Sequence, residues 1–477
     1  MYLRAGYFSS GWRIHWRKLG LGVPLLLLAG LAGCQHDPPP VNPPVDVPES
    51  FSDVEVPPAE GLARADRWWT AFGSPSLNEY VQASLDGNLD LAIARHRLRA
   101  ARALARREGA DLAPELDGVL DAEQEVTDDT DSHRVALGVA ASSEVDLWGR
   151  IDATVDAARL RAEATAADYQ AAAISLSANV TLSWLERAGA AARRDLLRSQ
   201  VQTNERILKR LESRLARGIS RSVDVLRQKQ LLAATREALA RVEARVDRLD
   251  HQLAVLRGRP PRDQSLTTPD ALPPLPPWPE AGLPMELVRR RPDLQAAFLR
   301  LQASNREVAA AISDRMPRLN LTASWLMLDT PQLNMPEDWA LSLAASLVAP
   351  IIDGGRREAE VDRTQALERA ELAGYGQAIL TALREVEDAL WTEARQRRQV
   401  AQVRAQVEAA ERAYRQLEVE YLNGVSDFLD MLTALSDWQQ LQRDLVVARR
   451  EQLATRVALY RALAGGFEWS ESESSDE

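Results

Sequence analysis

Cys34 is the single cysteine of this sequence, and it is the residue whose flanking sequence implies covalent chemistry. Cys34 closes the sequence Leu31-Ala32-Gly33-Cys34, whose small residues would let a signal peptidase approach the backbone. The motif resembles a bacterial lipobox, in which the cysteine thiol is diacylated. We therefore predict that residues 1–33 are a lipoprotein signal peptide and that Cys34 carries covalent lipid, which would hold the chain stably on a membrane.

The residues before Cys34 have the pattern of an export signal. Leu19–Gly30 is an apolar run that is too short to be a comfortable transmembrane helix. Four cationic side chains precede that run: Arg4, Arg13, Arg17 and Lys18. The alternative is an ordinary signal peptide followed by a chance cysteine. Gln35 stands where an aspartate typically retains such lipoproteins in the inner membrane, so we expect the outer membrane.

Other kinds of chemistry lack their usual residues. A single cysteine allows no disulfide within the chain and no cysteine zinc site, and the five histidines are scattered along the sequence. The HExxH, GxxxxGK[ST] and GxSxG patterns are not present. The net charge of -11 argues against nucleic acid as a partner. We predict a protein that is not an enzyme and that holds no metal and no cofactor, apart from the lipid on Cys34.

The elements that follow are organised as an internal two-fold repeat. Pro114 and Leu116 recur 203 positions later, as Pro317 and Leu319. Other landmarks recur at an offset of 206: Gly149 as Gly355, Gly218 as Gly424, Ser220 as Ser426 and Asp224 as Asp430. We predict repeat 1 at residues 76–257 and repeat 2 at residues 285–464, because the same shift relates widely separated landmarks.

Three segments lie outside the repeats. Residues 34–75 begin with a proline-rich stretch, which predicts an extended tether, and residues 258–284 form a proline-rich linker that helices cannot cross. Residues 465–477 form an acidic tail, which we predict to be disordered.

Each repeat contains one β-hairpin by pattern, at about residues 114–146 and 317–348, because side chains alternate there with a period of two. One face is apolar in every strand: Leu116, Gly118, Leu120 and Ala122; Val135, Leu137, Val139 and Ala141; Leu319, Leu321, Ala323, Trp325 and Met327; and Trp339, Leu341, Leu343, Ala345 and Leu347. Strands of about ten residues with one apolar face suit a wall between lipid and a wet lumen. The strands of a soluble sandwich have the same local pattern.

Four strands leave two open edges, which a bilayer does not tolerate. Small barrels need about eight strands, so the chain must assemble. Two copies would supply eight strands and three copies would supply 12, and the residues alone do not choose between them. Acidic side chains on the polar face would favour cations in the lumen: Glu115, Asp117, Asp121 and Glu123.

Very long helices are predicted after each hairpin. The stretch from Ile151 to Arg217 contains no proline and covers 67 residues, which would span about 100 Å as one helix. Arg356 to Asn423 repeats it, with Gly374 and Gly376 as an interruption. An ordinary coiled coil would show the same narrow apolar seams. Each long helix should turn into the next at a glycine tip, at residues 218–222 and 424–427. Ser220, Ser222 or Ser426 could cap the helix that follows each tip.

Several segments resemble the outer-membrane factors of tripartite efflux systems of the RND type, in the lipoprotein branch of the outer membrane efflux protein family. The resemblance covers nearly the whole mature chain and rests on the order and spacing of short motifs. The motifs are Trp68-Trp69, Ser143 to Arg150, Gly218 to Leu226, Arg290-Arg291-Pro292-Asp293, Pro350 to Arg356, Glu385 to Leu390 and Leu459 to Leu463.

The resemblance implies an α+β membrane protein. Three chains, each with four strands, would form a trimeric 12-stranded transmembrane β-barrel that continues into a long periplasmic α-helical barrel. The N-terminal segment and the linker would lie in an equatorial region. The implied function is a passive exit duct for small molecules such as drugs or other toxic compounds. Its partners would be a periplasmic adaptor protein and an inner-membrane transporter.

The resemblance also implies a periplasmic gate at the second tip, formed by Tyr421 and Leu429. Two positions depart from relatives, because Glu420 stands where an arginine is frequent and Thr433 where an aspartate is frequent. The usual salt-bridge lock is therefore in question, and Asp427 and Asp430 are the candidates to replace it. Asp427 and Asp430 would otherwise be ordinary solvated or capping carboxylates. The candidate contacts with the adaptor are Gly218, Arg221 and Gly424, which plain hairpin geometry would also explain.

Two other functions remain open at this point. One is an outer-membrane duct for type I-like polypeptide secretion. The other is a periplasmic coiled-coil lipoprotein that forms no channel.

Overall fold

A computed structural model describes residues 43–51, 67–126, 131–261, 271–279, 283–329 and 338–463. The predicted signal peptide, Cys34 and the acidic tail lie outside these residues. The chain divides into a sheet unit, made of Ala110–Thr154 and Val308–Val361, and a helical unit that contains the other described residues.

The order of elements is the same in the two halves of the chain. A 3-10 turn (Trp68–Phe72) is followed by α1 (Pro75–Gly87), α2 (Leu89–Ala110), β1 (Glu115–Val126), β2 (Asp131–Val145), α3 (Arg150–Ala216), α4 (Ser222–Leu256), α5 (Pro284–Arg290), α6 (Pro292–Ser313), β3 (Arg318–Asp329), β4 (Asp338–Val348), α7 (Arg356–Leu422) and α8 (Phe428–Leu463).

The sheet unit holds four antiparallel strands in the order β1-β2-β3-β4. The pairing places the alternating apolar residues predicted for the four strands on one face of the sheet. Across one row, Leu120 lies opposite Leu137, which lies opposite Met327, which lies opposite Trp339. This apolar face is exposed in the protomer, with Leu343 76% exposed and Leu120 70% exposed.

Two aspartates begin the long helices beside the sheet. Asp146 Oδ2 accepts a hydrogen bond of 2.8 Å from the backbone N–H of Asp152, in the first turn of α3. Asp353 accepts hydrogen bonds from the N–H groups of Gly355 and Arg357, at the start of α7. These bonds satisfy N–H groups that a helix start leaves without partners. Desolvation acts to raise the pKa of Asp353, but the hydrogen bond from the Arg357 guanidinium, together with the two backbone bonds, outweighs it and holds that pKa below its usual value.

The two longest helices, α3 and α7, each have 67 residues. α7 passes through Gly374 and Gly376 without a break, so the expected interruption was wrong. A Cβ atom at Gly376 would lie 2.9 Å from Cγ of Pro44. The glycine therefore provides room for the N-terminal segment that crosses the helix. Among the residues that the structure describes, no helix has both the length and the apolar character needed to cross a membrane.

A buried ion pair fastens the linker to the helical unit. Arg456 on α8 and Glu393 on α7 have side chains that are each 1% exposed, and they are joined at 2.8 Å. Arg456 also donates to the carbonyl of Pro276, and its guanidinium lies 4.9 Å from the ring centre of Trp278. Burial raises the pKa of Glu393, and the positive charge of Arg456 opposes that shift.

An aromatic cluster lies near that ion pair. Trp68 stacks on Tyr460 with ring centres 5.9 Å apart, and Phe72 lies 6.3 Å from the same tyrosine ring. The Tyr460 hydroxyl donates to the carbonyl of Pro277 at 3.0 Å. The 3-10 turn and the linker therefore meet at the same end of α8.

Candidate functional site

The two predicted glycine tips are helix-to-helix turns of the same geometry. Gly218 has φ +73° and Gly424 has φ +76°, a left-handed conformation that glycine adopts at little cost. In the first turn, the N–H of Gly218 donates to Leu215 O and that of Ile219 donates to Arg214 O. The second turn repeats this pair of bonds. Each turn therefore closes its helix with the paired bonds of a Schellman motif.

The expected serine caps were wrong. The residue before α4 is Arg221, and the carboxylate of Asp224 accepts the N–H of Arg221 at 3.3 Å. Ser426 Oγ is buried and makes no hydrogen bond within the described part of the chain. Aspartate in the first turn is stabilised by the helix dipole, so it replaces a serine hydroxyl at this position.

An aromatic core joins the two tips within the helical unit. Tyr421 and Phe428 meet edge to face, with ring centres 5.5 Å apart, while Tyr414 stacks on Trp438 at 5.4 Å. Leu211 of the first hairpin is buried in the same cluster. The predicted gate residue Tyr421 therefore belongs to the packing between the hairpins.

Polar contacts of Tyr421 also reach the first tip. Its hydroxyl lies 3.4 Å from Ser220 Oγ, and the Arg214 guanidinium lies 5.2 Å from the centre of its ring. Arg214 Nε donates to Ser220 Oγ at 3.3 Å. No pattern along the sequence relates Tyr421 to Ser220 or Arg214, so these two partners are visible in the structure alone.

Arg221 links the two tips by charge. It contacts Asp224 at 3.3 Å on its own helix start, and Asp427 of the second tip at 3.6 Å. The hydrogen bond to Asp224 raises the pKa of Arg221. The structure thus brings a predicted adaptor-contact residue, Arg221, together with a predicted gate residue, Asp427.

The other candidate residues do not join this network. Leu429 and Asp430 lie exposed in the first turn of α8. The Thr433 hydroxyl donates to the carbonyl of Leu429 at 2.9 Å, and the Glu420 carboxylate accepts from Gln416 at 2.9 Å. These bonds of Thr433 and Glu420 stay within their own helices.

The two equivalent tips carry opposite charge. Residues 202–229 contain eight basic and three acidic side chains, whereas residues 408–435, the same stretch of the second repeat, contain two basic and six acidic ones. This difference was readable from the sequence by comparing the windows at the repeat offset. It makes the Arg221–Asp427 contact part of a general attraction between the hairpins, which salt would screen.

A groove of about 550 Å³ lies between α3 and the α7–α8 hairpin, next to the tips. Its floor is apolar, with Leu211, Phe428 and Met431, while Arg206 and Arg210 stand on its rim. Within the described residues, no group of His, Cys, Asp and Glu side chains is placed to hold a metal ion. The tips therefore combine aromatic packing and ion pairs, an arrangement suited to holding the two helical hairpins together.

Comparisons with known proteins identify the family. The profile described as Outer membrane efflux protein matches residues 80–259 and 283–465. The chain is 31% identical to the pyoverdine export outer membrane protein OpmQ of Pseudomonas aeruginosa, over 92% of this chain and 95% of that protein. It is 26% identical to the cation efflux system protein CusC of Escherichia coli, over 94% of this chain and 98% of that one.

Solved structures agree with the fold. The outer-membrane channel OprN matches with a TM-score of 0.85 and 30% identity, over 90% of this chain and 99% of that one. The MtrE outer membrane channel of Neisseria gonorrhoeae matches with a TM-score of 0.81 and 24% identity, over 91% and 99%. The predicted fold class, a channel protomer that gives four strands to a trimeric barrel, is confirmed.

The same comparisons confirm the general function predicted from the sequence. The family is one of outer-membrane channels and not of enzymes, and its members need no cofactor. The chain is an outer-membrane exit duct of an efflux system. This chain belongs to the outer membrane efflux protein family.

Proposed function

We propose that the chain works as a lipid-anchored homotrimer and that it exports small molecules as the last part of a tripartite pump. The observation that carries this proposal is the sheet: four strands in one register, with an exposed apolar face opposite a polar one. Three such sheets provide the 12 strands of a barrel with lipid outside and water inside.

The class of cargo is small molecules, such as drugs or other toxic compounds. Relatives named for pyoverdine export, solvent efflux and cation efflux all match over most of this chain. Since related proteins are named for cargoes of such different chemistry, the duct itself exerts little selection among cargoes. The choice of cargo then belongs to the inner-membrane transporter, which also supplies the energy.

The two halves act as structural repeats around the tips. The family profile matches twice, once in each predicted repeat, which supports boundaries at residues 76–257 and 285–464. The N-terminal segment 34–75 and the linker 258–284 are proposed to form the equatorial region. Their described parts pack on the helical unit, through Pro44 against Gly376 and through Pro276 against Arg456.

The gate is proposed to lie where the two tips meet. Tyr421 and Asp427 hold the second tip against Ser220 and Arg221 of the first, while Leu429 and Asp430 stand exposed on α8 as the constriction. Opening would break these contacts without unfolding either hairpin, because each turn is closed by its own backbone bonds.

The adaptor is proposed to bind at the turns that contain Gly218, Arg221 and Gly424. Its docking would exchange the Arg221–Asp427 contact for contacts with the adaptor. This contact is exposed at both residues, so its loss costs little. A weak lock of this kind is one that a partner of moderate affinity can open.

The gate is tested by conductance in planar bilayers. Tyr421→Ala combined with Asp427→Asn should raise the conductance of the purified trimer several-fold, whereas Gln416→Ala, on the same helix but outside the network, should leave it unchanged. Equal conductance of the double variant and the wild type would remove these residues from the gate.

The lipid anchor is tested by metabolic labelling. Radioactive palmitate should label the wild-type protein and not Cys34→Ser, and the label should appear in outer-membrane fractions. Unlabelled wild-type protein would show that Cys34 follows an ordinary signal peptide.

Small-molecule export is tested in a strain that lacks the gene. Susceptibility to a panel of drugs, solvents and metal ions should rise and should return to its original level when the wild-type gene is restored. A strain with unchanged susceptibility that fails to secrete a polypeptide would favour the alternative, a secretion duct.

A further inference from the structure

Another cavity of the helical unit lies between α3, α4 and α8, away from the tips. Its volume is about 190 Å³, far more than the roughly 10–15 Å³ that one water needs. Arg193 of α3, Arg245 of α4 and Arg450 of α8 line it, together with one carboxylate, that of Glu186. Positive charge therefore converges on this cavity from three helices.

The one carboxylate does not balance the three arginines. Glu186 pairs with Arg245, and Arg450 contacts Glu451, its neighbour along α8, at 3.0 Å. Arg193 has a buried Nε atom that makes no hydrogen bond within the described residues. Burying a charged donor without an acceptor is costly, so such groups normally meet an ion or an ordered water. The Arg193 guanidinium is therefore placed to donate to an anion in the cavity.

A fourth arginine adds to the positive charge. Arg443 stands on α8, two helical turns before the arginine of α8 that lines the cavity. Its guanidinium donates to the side-chain amide oxygens of Gln200 and Gln440, which carry no charge. Desolvation lowers the pKa of Arg443, and the positive charge of Arg193 lowers it further, against the opposing effect of Asp444. An anion close to both arginines would relieve their repulsion.

Gly189 allows α8 to approach α3 at the cavity. A Cβ atom at this position would lie 2.9 Å from Cγ of Arg450 and 3.7 Å from Cδ2 of Leu272 in the linker. It is the only glycine in the sequence of α3. The aliphatic part of Arg450 therefore packs on α3, while the residue also lines the cavity.

The second repeat has the same helices without this group of arginines. At the offset of 206, Arg193 corresponds to Gln399 and Arg245 corresponds to Glu451. Since both repeats form long helical hairpins, the hairpin fold does not require an arginine at either position. A ligand explains the arginines of the first repeat better than helix packing does.

We propose that this cavity binds one small oxyanion of the phosphate and sulfate class per chain. Guanidinium groups donate paired N–H bonds whose spacing matches the oxygens of such anions. Val242 and Val446 form an apolar part of the wall, which lowers the local dielectric constant and strengthens these bonds. The bound anion joins α3, α4 and α8 beside the linker. The site depends neither on the proposed gate nor on the cargo.

Equilibrium dialysis tests the site, with the purified full-length protein in detergent, radioactive inorganic phosphate as the probe and chloride as the background anion. The wild type should bind phosphate saturably, at one per chain, and sulfate should displace it. Arg193→Met with Arg443→Met should lower the affinity at least about tenfold, because a single hydrogen bond to a charged group typically contributes that much.

The matched control is Arg198→Met, also on α3. Arg198 is 52% exposed, pairs with Glu243 at 2.8 Å and does not line the cavity, so this variant should bind phosphate like the wild type. Arg450→Gln is a second test in case the double variant fails to fold, and it too should bind more weakly. Absence of saturable binding to the wild type would overturn the proposal, as would unchanged affinity in Arg450→Gln or in a folded double variant.

Thermal unfolding gives an independent readout. Phosphate should raise the unfolding temperature of the wild type and of Arg198→Met, and the rise should saturate where binding does. A general salt effect would instead grow without saturation and be equal in all variants. In chloride alone, Arg193→Met should be at least as stable as the wild type, because it removes a buried cation without an acceptor. Lower stability of Arg193→Met in chloride would show that the arginine has a partner within the protein, against the proposal.

Discussion

The buried ion pair of the helical unit allows a prediction in which the size and the pH dependence of the effect are both defined. Arg456→Met removes the positive partner of Glu393 and leaves a carboxylate in a place that is 1% exposed. Breaking a buried pair in this way typically costs about 3–5 kcal/mol. The variant also loses the bond to Pro276, which weakens the attachment of the linker to α8, while Tyr460 still donates to Pro277.

The pH dependence follows from the raised pKa of Glu393. Burial already raises it, and Arg456 opposes that shift, so the variant should have a still higher value. In the unfolded state Glu393 has the ordinary glutamate pKa of about 4.3 and releases its proton near that pH, whereas the folded variant still holds the proton there. Stability should therefore fall as the pH rises above this value, until the folded pKa is passed. At pH 5 the part of the loss that titrates with Glu393 should be small, which leaves mainly the cost of the missing Pro276 bond, and at pH 8 the loss should be complete.

Thermal unfolding in detergent, followed by far-ultraviolet circular dichroism at one scan rate, measures this effect. The control is Arg461→Met on the same helix, whose contact with Glu385 is 3.6 Å long and 43% exposed at the arginine, and it should cost less than about 1 kcal/mol. The double variant Arg456→Met with Glu393→Leu should recover most of the loss at pH 8. A loss that is equal at pH 5 and pH 8, or that the double variant does not recover, would refute the reasoning.

Three further predictions concern other parts of the molecule. Gly218→Ala, at φ +73°, should destabilise the first tip by about 1–2 kcal/mol, whereas Gly109→Ala, whose Cβ would meet no atom within 4 Å, should be neutral or stabilising; thermal unfolding compares them. Burial, with Glu418 nearby, raises the pKa of Tyr414 to about 12, so ultraviolet titration should show a tyrosine that ionises well above pH 10 and disappears in Tyr414→Phe. Asp117→Asn with Asp121→Asn should reduce the cation selectivity of the channel in planar bilayers, and unchanged selectivity would place these carboxylates outside the conducting path.

Local patterns in the sequence were sufficient for the sheet faces and the turns. Alternation placed Leu120, Leu137 and Met327 on one face, and the structure pairs them in one row. Gly218 and Gly424 were readable as helix ends because few other residues adopt a left-handed turn at low cost. The alternation and the glycine signals depend on neighbours along the chain, which the sequence contains directly.

Contacts between distant helices were not readable in this way. Arg456 and Glu393 look like solvent-facing charges in a helical pattern, yet both side chains are buried, and Arg456 donates to the linker carbonyl of Pro276. Gly376 looked like a helix breaker, while its role is to leave space for Pro44. In each case the deciding neighbour comes from another part of the chain, so no local periodicity could reveal it.

The sequence by itself determined the class of the protein: a repeated chain with four half-apolar strands and with long helices uninterrupted by proline. Only the tertiary structure decided which side chains meet at the tips, such as Tyr421 with Ser220 and Arg221 with Asp427. The physical reason is that hydrophobic periodicity selects an element and its buried face. The register between elements depends on packing and hydrogen bonds over hundreds of residues of separation.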